Sequence, residues 1–357
     1  MKRNKGITIC ALVLVSIQFG CLKKPDITPE TPTDNRPITT ILKNNYAFSM
    51  LYTALQRTGL DKTLEGNGPF TLLAPDNDAF GRAGISPDSL AKVNADVLKK
   101  LISYHIIKAS IPYSAIPQSI DFQFQTLAGP VVYFSVPIPG DQQFQNLNAK
   151  IAHINGVLAK KVDIKAANGY IIVLNKSLYY PAPTVKSILE SNPDYSFFVK
   201  ALKKFGLFDQ LDKTGPFVVM APKNNAFLQS GIDETAIDAL DTINYKKILF
   251  NAYLLPSYRF FTTDLNDAPL GRQSPPGIIT PDYIQVMQQG DDYTPANFGL
   301  YSLNYKFIQV YALPPYYGNA FIYGQPVAIS DPDHQALNGV LNGIDGVVML
   351  PDSAKIH

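Results

Sequence analysis

Residue types that usually carry catalysis or bind metals are scarce in this chain. Of its 357 residues only Cys10 and Cys21 are cysteines, so beyond position 21 no thiol can act as nucleophile, zinc ligand or disulfide partner. The four histidines, His105, His153, His334 and His357, include no pair at i,i+4 spacing, and Asp291-Asp292 is an acidic pair without calcium-loop periodicity. No glycine-rich phosphate loop follows a strand-like run, and no Gly-x-Ser-x-Gly elbow occurs. Neither a cofactor nor a metal is expected, and the expectation is a protein that is not an enzyme. Tryptophan is absent, and charged residues make up 17% of the chain, against about 25% in an average soluble protein. The surface should therefore be polar through Asn, Gln, Ser and Tyr more than through ion pairs.

Apolar residues, by contrast, reach 46%, with 20 Tyr and 20 Phe as the large side chains. That content and length suffice for two domains plus a tail. The formal charge of +2 rests on the amino terminus. Removing the first 20 residues takes away Lys2, Arg3 and Lys5 and no acid, which leaves 28 bases against 29 acids, or −1. This balance does not supply the basic stripe that a nucleic-acid partner requires.

Residues 1–5 are basic and residues 6–20 apolar, a run too short to span a bilayer as a permanent helix. Together with Gly20-Cys21 they resemble a bacterial lipoprotein signal, with Gln18 and Phe19 departing from the usual residues before the cysteine. The resemblance implies cleavage after Gly20 and acylation of Cys21, which would anchor the protein to a membrane. Residues 22–37 hold four prolines and no apolar periodicity, and read as an extended tether. Leu22 stands where an aspartate would resemble an inner-membrane retention signal, so the expected location is the outer membrane of a diderm bacterium, facing the surface.

The body of the chain is a repeat. The run from Gly68 to Phe80, GPFTLLAPDNDAF, recurs from Gly215 to Phe227 as GPFVVMAPKNNAF. The same offset of 147 pairs Gly59-Leu60 with Gly206-Leu207 and Lys99-Lys100 with Lys246-Lys247. Each unit begins with a helix, carried by Phe48, Leu51 and Leu55 or by Phe198, Ala201, Leu202 and Phe205, that stops at Gly59 or Gly206. A Gly-Pro turn then leads into a buried strand, 70–74 or 217–221. Asn77 and Asn224 are expected to hold the turn that follows, with Phe80 and Phe227 plugging it into the core. A second helix is expected over 95–107 and over 245–255. Each unit closes on a block that starts at Asp163 or Asp333 and contains Asn168-Gly169 or Asn338-Gly339, a hairpin signal of the type I′ kind. The closing blocks are 170 apart, so the second unit carries a net 23 extra residues within 256–332.

FTLLAPDNDAF, the Tyr104-His105 pair and the closing Asn-Gly hairpin that ends at a proline resemble the fasciclin-like domain, twice over. The resemblance implies an α+β fold of two tandem wedge-shaped β-structures with packed helices, and a cell-surface binding module. The segments read as a signal at 1–20, a tether at 21–37, domains at 38–181 and 182–351, and a tail at 352–357.

Tyr104 and His105 resemble a Tyr-His segment that some animal members are thought to use in receptor contact. The alternative is a buried imidazole bonded to backbone. Aligned at the offset of 147, the second unit has Asn251-Ala252-Tyr253-Leu254, without the pair, so the role of His105 is not expected in both. The insertion is rich in tyrosine: Tyr258, Tyr283, Tyr293, Tyr301, Tyr305, Tyr311, Tyr316, Tyr317 and Tyr323. Tyrosine suits protein interfaces and stacking on sugars, although alternation in strands such as 301–313 would also account for it. Tyr316 and Tyr317, in a turn-like Pro-Pro-Tyr-Tyr-Gly segment, are expected on a binding surface. The primary expectation is a lipid-anchored adhesion protein that contacts an envelope protein or a surface glycan. The alternative is an accessory lipoprotein of a TonB-dependent, starch-utilisation-type uptake complex, and a hydrolase comes last.

Overall fold

Each unit of the repeat is organised around a pair of parallel strands that the sequence separates by about a hundred residues. A computed structural model of the chain describes residues 35–136, 150–256, 259–264, 284–286, 296–301, 307–312, 321–322 and 327–356, with the stretches between 284 and 322 as backbone only. Cys21, the signal, the tether as far as residue 34, Tyr316 and Tyr317 lie outside the described residues, as do Tyr258, Tyr283, Tyr293, Tyr305 and Tyr323.

In the first copy the strands are β1 (Phe70–Pro75), β2 (Ile106–Ile107), β3 (Phe122–Gln125), β4 (Val131–Ser135), β5 (His153–Ile154), β6 (Val157–Ala166) and β7 (Gly169–Leu174), in sheet order β2-β1-β7-β6-β5-β4-β3. Strand β1 runs parallel to β7 in the register Phe70↔Gly169. All six β1 residues are buried because both faces are covered. Phe70, Leu72 and Ala74 point into one apolar cluster with Leu51, Leu55, Phe80 and Ile102 from the helices, while Leu73 points into a second with Val132, Phe134 and Ile154. An unbroken apolar run is what a strand with two dry faces requires; truncating one such leucine to alanine costs about 2–5 kcal/mol.

The second copy repeats this centre with β8 (Phe217–Pro222), β9 (Leu254–Pro256), β14 (Val327–Ala336) and β15 (Gly339–Ile344), in the order β14-β15-β8-β9. Between β9 and β14 come β10 (Ile284–Val286), β11 (Ala296–Tyr301), β12 (Phe307–Ala312) and β13 (Phe321–Ile322), and β10, β11 and β12 extend the sheet beyond β14. The segment 301–313 is thus the last residue of β11 and the whole of β12.

The first helix of each unit forms as expected, at Ser49–Thr58 and Ser196–Lys204. Gly59 takes the left-handed conformation at φ 71° and caps the first of these. The second helices are shorter than their periodicity predicts. The one expected over 95–107 is Ala95–Tyr104, and the one over 245–255 keeps a single turn, Ile248–Asn251. The residues that follow are claimed by the sheet: Ile106–Ile107 pairs with Thr71 and Leu72, and Leu254–Leu255 with Val219 and Val218. A strand of two or three residues has no period that could distinguish it from a helix end.

Asn77 and Asn224 reach backward, not forward. Asn77 accepts from the Met50 N–H and donates to Tyr46 O and Ser49 Oγ; Asn224 accepts from Phe197 N–H and donates to Pro193 O and Ser196 Oγ. Each ties the start of the first helix to the end of the central strand. Phe80 and Phe227 do fill the core beneath.

The closing hairpins form, but not as type I′ turns. The two residues between Ala166 and Gly169 are Ala167 and Asn168, and neither has positive φ. Gly169 is required for a different reason: a Cβ there would sit 1.8 Å from Phe70 O, and one at Gly339 would sit 2.3 Å from Phe217 O. The preceding asparagines act as clamps. Asn168 accepts from Ile38 N–H and donates to Leu64 O and Gly66 O; Asn338 does the same with Val185, Leu211 and Lys213.

Candidate functional site

His105 caps the helix Ala95–Tyr104 and is fully buried. Its Nδ1 lies 2.9 Å from Leu101 O, which can only accept, so Nδ1 carries the hydrogen and Nε2 is free to accept from Leu178 N–H at 3.1 Å. Burial pulls its pKa down to about 4, against the one backbone contact that favours the charged form. Ser177 Oγ is 3.4 Å from the same Nε2, but that lone pair is already committed to the Leu178 N–H. The pair is therefore not arranged as a nucleophile with its base.

The second copy retains this function in another residue. Leu73 N–H donates to His105 O, and Met220 N–H to Tyr253 O, so Tyr253 stands at the position of His105 and the local offset is 148. The Tyr253 hydroxyl accepts from Val348 N–H at 3.0 Å, and Val348 follows Leu178 by the closing offset of 170. A buried imidazole and a buried phenol fasten the same backbone group, and the alignment at 147 hid the correspondence.

Tyr104 is buried as well, so neither member of the pair presents a surface through which to contact a receptor. Its hydroxyl instead lies where the copies meet. It faces Val131 O at 2.9 Å and Gln335 Oε1 of the second copy at 3.0 Å, and accepts from Asn155 Nδ2 at 2.9 Å. Asn155 Nδ2 also reaches Gln335 Oε1 at 2.7 Å. Asn155-Gly156 is the dipeptide with positive φ at both residues, 48° and 76°, and it joins β5 to β6 in the type I′ manner. A Cβ on Gly156 would come 2.8 Å from Asp333 Oδ2 and 3.2 Å from Phe261 Cβ, so this turn is pressed onto the second copy. The Asn-Gly dipeptide was the available signal for it.

Around this turn the joint continues. Tyr133 packs on Phe261 and Val340, and the Arg259 guanidinium lies 4.4 Å from the Tyr133 ring centroid. Within the second copy, backbone bonds run from Ala182 N–H to Gln335 O and from Leu337 N–H to Ala182 O, the latter matching Ala167 N–H to Arg36 O in the first copy. Asp333, at φ 66°, accepts from both the backbone and the hydroxyl of Thr262, as Asp163, at φ 58°, accepts from Tyr113 N–H in the first copy. A cleft of about 400 Å³ opens beside the joint, lined from both copies by Asn155, Ser177, Tyr179, Asp331, His334 and Gln335 among others. His334 Nε2 lies 2.7 Å from Asp331 Oδ1, and the nearness of the imidazole holds the Asp331 carboxyl below its ordinary range. Among the described residues no cluster of three or more His, Asp or Glu side chains is placed to hold a metal. No helix among them is long and apolar enough to cross a membrane.

Two copies of one mixed α+β module, joined in tandem, define the class. The model of the fasciclin domain matches residues 46–181 and again 193–351, and the chain belongs to the fasciclin family. It is 29% identical over 212 residues to the pig transforming growth factor-beta-induced protein ig-h3, a match covering 58% of this chain and 28% of that protein. It is 28% identical over 179 residues to protein sll1483 of Synechocystis, covering 49% of this chain and 92% of that one. With the cell surface glycolipoprotein MPB83 of Mycobacterium bovis it shares 34% identity over 98 residues, 26% of this chain and 42% of that protein. The FAS1 domain pair of the insect cell adhesion molecule Fasciclin I superposes with a TM-score of 0.38 at 18% identity, covering 87% of this chain and 99% of that one.

Proposed function

We propose that the protein is a lipid-anchored adhesion module of the cell surface, held at the outer membrane through Cys21 and acting through contacts with an envelope protein or a surface glycan. The observation that carries this reading is the tandem fasciclin match, which covers most of the chain after the tether, in a family whose relatives include a cell surface glycolipoprotein. Adhesion suits the described architecture, because Tyr104, Asn155 and Gln335 are engaged with one another in holding the copies together. Tyr316 and Tyr317, in the insertion that sets the second copy apart, are the proposed contact residues. The test is fractionation of native envelopes with Cys21→Ala, followed by affinity capture with Tyr316→Ala/Tyr317→Ala. The reading expects release of the first variant into the soluble fraction and loss of the captured partner with the second; detergent-dependent retention, or unchanged capture, counts against it. A second reading, an accessory lipoprotein of a TonB-dependent uptake complex, is favoured by the greater length of the second copy, whose sheet repeats the seven-strand order of the first and adds β13 beside β12. It is chosen instead if the captured partner is such a transporter.

A further inference from the structure

The cleft beside the joint is built where a strand loses its alternation. A regular strand turns every second side chain away from a given surface, yet five consecutive residues of β14, Asp331 to Gln335, line the cleft. The cause is a bulge. The pairing of β14 with β15 shifts register between Ile329 and Asp331 and again between Asp331 and His334, with Asp333 at φ 66°. From the first copy come, among others, the five residues that follow β7, Asn175 to Tyr179.

The charged groups of this lining are already committed. Arg82 Nε donates to Asn175 O, and Lys176 Nζ stands 5.4 Å from the centroid of the Tyr179 ring. Asp331 Oδ1 has His334 Nε2 beside it at 2.7 Å, and both carboxylate oxygens of Asp333 accept from Thr262. The amides are not committed. Asn175 is fixed through its backbone, whose N–H donates to Leu158 O and whose carbonyl takes Arg82, while its side-chain amide has no bond to any of the described residues. Gln335 Oε1 faces the Tyr104 hydroxyl and accepts from Asn155 Nδ2, but among the described residues Gln335 Nε2 has no acceptor, and it is open to solvent. Tyr179 is 51% exposed, and its hydroxyl holds the ring in place by donating to Ala83 O at 3.2 Å.

Uncommitted amides beside a fixed, half-exposed ring suit a ligand that donates and accepts hydrogen bonds, has an apolar face and brings no charge. We propose that the cleft binds the end of a neutral glycan, whose hydroxyls bond the side chains of Asn175 and Gln335 and whose ring packs on Tyr179. Its volume of about 400 Å³ is that of a small-molecule site. Asn175 and Tyr179 belong to the first copy and Gln335 to the second, so the bound sugar bridges the two. The site is independent of the contacts assigned to Tyr316 and Tyr317 and of lipid on Cys21.

The experiment is saturation-transfer NMR with calorimetry on the full chain, in a detergent without a sugar headgroup. The probes are the neutral disaccharides maltose, cellobiose, lactose and chitobiose, with galacturonate and glycine as charged competitors. At least one disaccharide should bind, at least tenfold more weakly in Asn175→Ala and without detectable saturation transfer in Tyr179→Ala. If Tyr179→Ala does not fold, Asn175→Ala decides alone, because the side chain it removes makes no bond to the described residues of the fold. Silence of all four disaccharides overturns the proposal, as does binding that both variants leave intact or a preference for galacturonate or glycine. Loss of sugar binding in Tyr316→Ala/Tyr317→Ala, with full binding kept in Asn175→Ala, also overturns it and moves the contact to the insertion.

Discussion

The two copies solve the same packing problem with different residues, and the differences fall where one copy meets the other. The frame is common: the parallel pair β1 with β7 and β8 with β15, the asparagines that reach back to the first helix, and the asparagine clamps at the closing turns. His105 and Tyr253 then show that a frame position can change its chemistry while its task persists, since both accept one backbone N–H inside the core. Tyr104 has no such freedom to be shared. Its counterpart at the structural offset is Ala252, and its hydroxyl is occupied by Asn155 and by Gln335 of the other copy. Identity between the repeats marks the frame of each copy; divergence marks either another way of filling that frame, as at His105 and Tyr253, or what joins the copies, as at Tyr104.

The equivalence of the frames is most severely tested at the glycines. Gly169→Ala and Gly339→Ala each drive a Cβ into a backbone carbonyl of the central strand, and each should destabilise its own copy by more than about 4 kcal/mol in denaturant melts. Gly59→Ala, at positive φ but with open space around it, should cost only about 1–2 kcal/mol. Equal losses at all three sites would break the argument from close approach.

Asn168→Ala and Asn338→Ala come next. Each removes three bonds to backbone, and a loss of roughly 3 kcal/mol follows from leaving such groups unsatisfied. The effect should be larger at Asn168, which is buried, than at Asn338, which is partly exposed. Amide exchange resolved by copy provides the measurement, and the reverse order would mean that the clamps are not equivalent.

The smallest effect separates the copies by acid. The folded pKa of His105 lies near 4, below the ordinary 6.5, so the unfolded chain takes up a proton that the folded one refuses. The stability from the neutral imidazole is complete above pH 6.5 and is lost as pH falls to about 4, by up to about 3 kcal/mol. Exchange at pH 7 and pH 4.5 should therefore show the core of the first copy weakening more than that of the second, where Tyr253 stands. Tyr253→His should carry the acid sensitivity across; a second copy that stays indifferent to it would refute the equivalence of the two positions.

Much of the frame was legible because it is written locally. FTLLA and FVVMA are runs too short for a helix and too apolar for a surface, and Gly59 and Gly206 stop helices where their neighbours lose helical spacing. The misreadings share a cause. Ile106–Ile107 and Leu254–Leu255 look like helix ends because a strand of two or three residues has no period, and only β1 or β8 alongside turns them into strands. Asn168-Gly169 looks like a type I′ turn because the dipeptide favours one, while the need for glycine comes from Phe70, about a hundred residues earlier. Tyr104 and His105 attract attention as polar residues on an apolar helix, a pattern equally consistent with exposure and with a satisfied core.

The sequence alone determined the duplication, the central strands, the family and the place where the copies differ in length, since each is recorded in neighbouring residues or in the comparison of one copy with the other. Only the tertiary structure decided that His105 and Tyr253 do the same work and that Tyr104 belongs to the joint. Those contacts join residues that are distant along the chain. Nothing in the local period or composition of either partner encodes the other, so they come into being only when the chain folds each copy and packs the two together.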